Sequence, residues 1–139
     1  MMPPQSRRYI AVLLLTAAIT SCSSMRPASC LAGQDAAVQE LLYFGTQTPS
    51  GHVSAQEWAD FLATAVTPRF PDGLTTWQAS GQWRSASGAL VQEPSYVLSL
   101  VHPPNAASDG AVGEVVDAYK RRFQQEAVLR VRSDVCKGL

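Results

Sequence analysis

The sequence predicts an α+β domain: a ferredoxin-like βαββαβ sandwich, with a four-stranded antiparallel sheet and two helices on one face. Three observations carry this expectation. Between Gln39 and Arg132 the hydrophobic period alternates in the order strand, helix, strand, strand, helix, strand. Removing a leader of 21 residues from the 139 leaves 118, enough to bury one core and too few for a second domain. Finally, Cys30 precedes the first strand and Cys136 follows the last. Those two strands are antiparallel neighbours in this topology, so their outer ends meet where a bond between the cysteines needs them.

The elements follow in order. Gln39 to Gly45 reads as a short strand with Leu41 and Tyr43 on one face and Leu42 and Phe44 on the other; apolar on both sides, it belongs at the sheet centre. A helix then starts at Ser54, with Glu57 completing a capping box and Val53 placed to staple against Trp58. Trp58, Phe61, Leu62 and Ala65 form its apolar stripe, and Pro68 stops it by restricting Thr67. After the turn Pro71-Asp72-Gly73, the residues Trp77, Ala79, Gly81 and Trp83 alternate with polar neighbours, as in a half-buried strand. Ser85 to Gly88 reads as a hairpin turn, and Ala89 to His102 as the returning strand, with Pro94 marking a bulge or a fresh start. A second helix begins near Ser108-Asp109 and shows Val112, Val115, Val116, Tyr119 and Phe123 at helical spacing. Val128 to Arg132 is the last strand. The tryptophans Trp58, Trp77 and Trp83 are all expected in the core.

Ahead of the domain, Arg7 and Arg8 precede an apolar run, Ile10 to Ile19, that ends in Ile19-Thr20-Ser21-Cys22. This pattern predicts a lipoprotein signal over 1–21 with Cys22 as the acylated residue. The run has about half of the roughly 20 apolar residues that a bilayer span needs. The other reading is an ordinary secretory signal with Cys22 left as a free thiol, and Ser6-Arg7-Arg8 loosely matches a twin-arginine signal. Residues 22–37 read as a lipid-anchored tether and 38–139 as the single domain. The expected location is the bacterial cell envelope, on a membrane facing the periplasm or the exterior.

Composition excludes some partners. Without Arg7 and Arg8, 9 basic side chains remain against 11 acidic ones. Nucleic acid is therefore not an expected partner, because a basic face supplies most of that affinity. Lys120-Arg121-Arg122 suits a helix C-terminus, and Arg130 and Arg132 are expected at solvent-facing strand positions. With Cys22 acylated, Cys30 and Cys136 form an even pair in a compartment where disulfides persist, the alternative being two free thiols. His52 and His102 stand alone in sequence and are expected at the surface or a strand edge. No metal spacing, nucleophile elbow, phosphate-cradling loop or dinucleotide fingerprint is present, so no cofactor or metal is expected.

The runs Leu42-Tyr43-Phe44-Gly45, Val66-Thr67-Pro68-Arg69-Phe70-Pro71-Asp72-Gly73-Leu74-Thr75, Gly81-Gln82-Trp83-Arg84, and Ala118-Tyr119-Lys120 with Arg122-Phe123 resemble the bacterial domain of unknown function 3574 family. The resemblance covers about residues 38 to 136. It implies a small exported domain, often a lipoprotein, and brings no reaction with it. Polar residues in and near these runs are the candidate site: Arg69, Asp72, Gln82, Arg84, Glu93 and Arg122, with Tyr119 and Glu126 beside them. Glu93 with Arg84 across the hairpin could hold an anion or an acid-base group, or could simply fix strand register. No catalytic residue is assigned. Because central strands apolar on both faces need cover on the helix-free side, a homodimer, an apolar ligand or a partner protein is expected there. The sequence thus favours a binding or interaction module. The alternative is a small cofactor-independent enzyme with a polar site near Arg69, Gln82, Arg84 and Glu93.

Overall fold

The computed structural model describes residues 29–139; the leader and Cys22 lie outside the described residues. Strand β1 (Asp35–Gly45) leads into a small hairpin of β2 (Gln47–Thr48) and β3 (Gly51–His52). Helix α1 (Ala55–Phe61) continues as a π-helical turn, Leu62–Val66. Strands β4 (Thr75–Arg84) and β5 (Leu90–His102) form a hairpin, and α2 (Ala106–Phe123) and β6 (Leu129–Lys137) complete the chain. The sheet order is β4-β5-β1-β6 with every pairing antiparallel, the ferredoxin-like arrangement.

β1 begins at Asp35 rather than Gln39, so part of the 22–37 segment expected to be a tether belongs to the domain. Asp35-Ala36-Ala37 has little strand preference of its own. It is extended because it pairs with Val135, Cys136 and Lys137 at the end of β6. The same pairing brings Cys30 and Cys136 into a disulfide, with their Cα atoms 5.5 Å apart.

At the start of α1, the Ser54 Oγ accepts the Glu57 N–H at 3.2 Å while Glu57 Oε2 accepts the Ser54 N–H at 2.9 Å. The Ser54 N–H foremost, and then the Ser54 hydroxyl, which donates to the same oxygen at 2.8 Å, hold the exposed Glu57 carboxyl below its ordinary range. The helix does not run uniformly to Pro68 as its stripe suggests. The Thr64 hydroxyl donates to the Asp60 carbonyl, and the Thr67 N–H reaches five residues back to Leu62 O at 2.8 Å. Such back-bonding by threonine loosens a helix, and Pro68 has no N–H with which to tighten the turn again.

Pro94 makes no bulge. The β4–β5 register runs unbroken from Thr75↔Ser99 to Arg84↔Leu90 through Ser80↔Pro94. The Pro94 carbonyl accepts the Thr46 hydroxyl at 2.6 Å, so its ring nitrogen also faces that side, just past the last β1 pair, Gly45↔Ser95. No ladder bond is lost there.

Even-numbered sheet residues Leu42, Phe44, Tyr96, Leu98 and Leu100 join Trp58, Phe61, Val112, Val115, Tyr119 and Phe123 in one core under the helices. Aromatic packing dominates it: Trp58 stacks on Tyr96 with centroids 4.5 Å apart, and Phe44 meets Tyr119 edge-on at 4.6 Å. α2 begins at Ala106, earlier than the expected Ser108, because the Asn105 side chain caps it by accepting the Ser108 N–H at 2.8 Å.

Candidate functional site

The strand registers place odd-numbered residues on the face away from the helices. Leu41 and Tyr43, Trp77 and Trp83, Val97 and Val101, and Leu129 and Val131 therefore form an apolar surface without a helical layer over it. Of the three tryptophans expected in the core, only Trp58 is there; Trp77 is 45% and Trp83 36% exposed on this open face. An alternating pattern shows that one face of a strand is apolar, but not which layer covers it.

Residue size shapes this face into a pocket. Between Trp77 and Trp83 the odd positions of β4 are Ala79 and Gly81, and the neighbouring strands offer Ser95 and Gly45. These small residues make a floor, and Tyr43, Trp83 and Leu129 rise around it to enclose about 280 Å³. Glu93 lies in that floor and is 5% exposed. Its Oε1 accepts the Trp83 indole N–H at 2.8 Å, and its Oε2 accepts the Gln47 N–H at 2.5 Å. Gly45 is required at its position: a Cβ there would lie 2.5 Å from Glu93 Oε1. On the other side of the sheet the Tyr119 hydroxyl donates to the Gly45 carbonyl at 2.8 Å. Burial foremost, with the Glu93 charge added, pushes the Tyr119 phenol up, so it remains protonated.

The other sequence candidates do not gather around Glu93. Arg69 bonds Glu114 at 2.9 Å and the Ala65 carbonyl at 2.8 Å, in the helical layer. Arg84 does not pair with Glu93: it sits opposite Leu90, on the other face, and donates to the Gly88 carbonyl at 2.9 Å, while Glu93 sits opposite Gly81. Gln82 touches the pocket rim but hydrogen-bonds Gln92 at 2.6 Å. Asp72 is exposed in its turn. Arg122 lies over the Phe123 ring, 5.2 Å from its centroid. Glu126 accepts the Ala86 N–H at 3.4 Å. Side-chain parity separates Gln82 and Arg84 from Glu93, and parity depends on a register that β4 and β5 set together.

A second polar group forms on the helix side, and the sequence reading missed it. Arg130 and Arg132 keep the exposure expected of them, with side chains 32% and 42% exposed, while their guanidinium groups reach acids on the helix side of the sheet. Arg130 grips both oxygens of the fully buried Glu40, with one bond at 2.8 Å, and Arg132 holds Asp109 at 2.7 Å. His102 is 2% exposed, not a surface or edge residue; its Nδ1 donates to the Pro103 carbonyl at 2.8 Å and its Nε2 lies 3.7 Å from Glu40. Glu40, His102 and Asp109 have donor atoms within 4.8 Å of one another. With both oxygens of Glu40 on Arg130, the group is an ion-pair network joining β1, β5, β6 and α2. Its members come from four elements, so no local spacing announces it.

Glu93 differs from Glu40 in one respect that bears on function. Among the described residues it forms no salt bridge. Two neutral donors fix the carboxylate and leave further lone pairs for a ligand.

The chain superposes on a phage SAM lyase in complex with S-methyl-5′-thioadenosine with a TM-score of 0.58 and 15% identity, over 82% of this chain and 97% of that one. Phage SAM lyase in its apo state gives a TM-score of 0.49 and 15% identity over 81% and 91%. At this identity the fold is what is shared. No curated protein matches the chain. The family model described as protein of unknown function (DUF3574) matches residues 39–138, nearly the whole folded domain, and the chain belongs to that family.

Proposed function

We propose that this protein is a lipid-anchored envelope lipoprotein whose domain is a binding module, taking a small molecule in the Glu93 pocket on the open face of its sheet. The observation that carries the reading is the pocket itself. Small residues at Gly45, Ala79, Gly81 and Ser95 open it, aromatic rings wall it, and in its floor lies one carboxylate that pairs with no cation among the described residues. The lipid on Cys22 rests on the sequence pattern alone. With the domain tied at Cys30, the eight Cα-to-Cα steps from Cys22 would let it stand at most about 28 Å from the membrane.

A pocket-filling variant tests the binding reading. A Cβ on Gly81 would meet Ser95 Oγ at an ordinary 3.5 Å, so Gly81→Leu can fill the space without disturbing the sheet. Small molecules extracted from wild-type protein purified from membranes should be absent from Gly81→Leu. An identical set in both would remove the pocket from the account.

A second reading, a small cofactor-independent enzyme with Glu93 as an acid-base group, is supported by the same buried carboxylate. The fold shared with a phage SAM lyase makes SAM the first substrate to try. Formation of S-methyl-5′-thioadenosine by wild type and its loss in Glu93→Gln would favour this reading. No product in either would leave the binding module.

A further inference from the structure

Resting on the pocket reading, we infer that the ligand is a small organic cation whose charge is spread over alkyl groups, as in a quaternary ammonium or a sulfonium. A carboxylate taken out of water is costly unless a cation or several donors answer it. This fold answers its other buried acid, Glu40, with Arg130, and leaves Glu93 with two neutral N–H donors. Among the described residues no cation faces Glu93, and the proposal places the answering positive charge on whatever fills the pocket.

The walls decide what kind of cation fits. Trp83 and Tyr43 contribute ring surface and Leu129 aliphatic surface, which favour a weakly hydrated ion that sheds water at small cost. A hard divalent ion needs six or more oxygen ligands, and an indole, a phenol ring and a leucine do not supply them. A single carboxylate matches a single positive charge.

Choline and 3,3-dimethylbutan-1-ol test this directly, since they share a shape and differ in charge. The readout is the Trp83 indole N–H resonance of the full chain in a non-ionic detergent, because that N–H donates to Glu93. Choline is expected to shift it with an affinity about tenfold above that of the alcohol, and Glu93→Gln should bring the two probes level. Equal shifts by both probes in wild type would overturn the cation while leaving the pocket. No Trp83 shift with either would overturn both. The comparison in wild type stands even if the variant fails to fold. Mixed micelles carrying phosphatidylcholine separate the sources of the charge: a shift there as well as with free choline marks a headgroup site, and a shift with free choline alone marks a solute site. Either supports the proposal.

Discussion

The bond between Cys30 and Cys136 closes a loop with a sequence separation of 106, almost the whole described domain. Replacing both cysteines with alanine lets the unfolded chain expand freely while β1 and β6 keep their ladder from Asp35↔Lys137 to Tyr43↔Leu129. The chain-entropy relation gives about 4.7 kcal/mol for a loop of this size. A domain's total stability is about 5–15 kcal/mol, so the loss is a third of it or more, and the variant should fold but sit near its limit. At about 4 °C per kcal/mol for a domain of this length, the melting midpoint should fall by about 20 °C. Urea titration of both proteins is the assay. The midpoint should drop and the slope should rise, because the untied denatured state exposes more surface. A stability loss of less than about 1 kcal/mol would refute the reasoning, since it would mean that the bond constrains little in the unfolded chain.

Other predictions concern separate parts of the molecule. Arg130→Ala strands Glu40 in the core, and the cost should lie near the lower end of about 3–5 kcal/mol, because water reaches Arg130 and His102 stays beside the acid; urea unfolding measures it, and a loss below about 1 kcal/mol contradicts the network. Ser54→Ala removes the α1 cap and should cost about 1 kcal/mol by the same assay. Glu57 binds its proton more weakly folded than unfolded. Its contribution is therefore complete above its ordinary value of 4.5 and is lost as the pH falls below it; Glu57→Gln should flatten the acid limb of the stability profile. Gly45→Ala pushes a methyl against Glu93 Oε1, so the Trp83 indole N–H should lose its hydrogen-bonded chemical shift while the Trp58 signal stays.

Much of the fold was legible because its signals are local. The Ser54 and Glu57 box, the turn at Ser85 to Gly88, and the alternation on both faces of Leu41 to Phe44 each depend on residues a few positions apart. The cysteines added a long-range restraint that agreed with the order of elements. What was missed depends on pairing between distant segments. Asp35 to Ala37 is a strand only because β6 lies beside it, and Pro94 passes unbroken only because β1 has already ended. The hairpin β2–β3, which delivers the Gln47 N–H to Glu93, has strands of two residues each, too short to show a period. Glu93 itself was among the candidates, but its partner was read as Arg84, one register parity away from the actual Gly81. The small residues Ala79 and Gly81 between two tryptophans are the pocket's trace in the sequence, but alternation alone shows a half-buried strand and not a cavity on it.

The three tryptophans make the most direct test of the claim that this domain acts through the Glu93 pocket. Trp58 reports the core, Trp77 the open face beyond the pocket, and Trp83 the pocket wall. In a titration of the indole-labelled full chain with small molecules extracted from the host envelope, Trp83 should shift while Trp58 and Trp77 hold still. Joint movement of Trp77 and Trp83 with rising protein concentration alone would instead mark a second copy seated across the whole face. A still Trp83 under every extract would mean that the domain does not act through the Glu93 pocket.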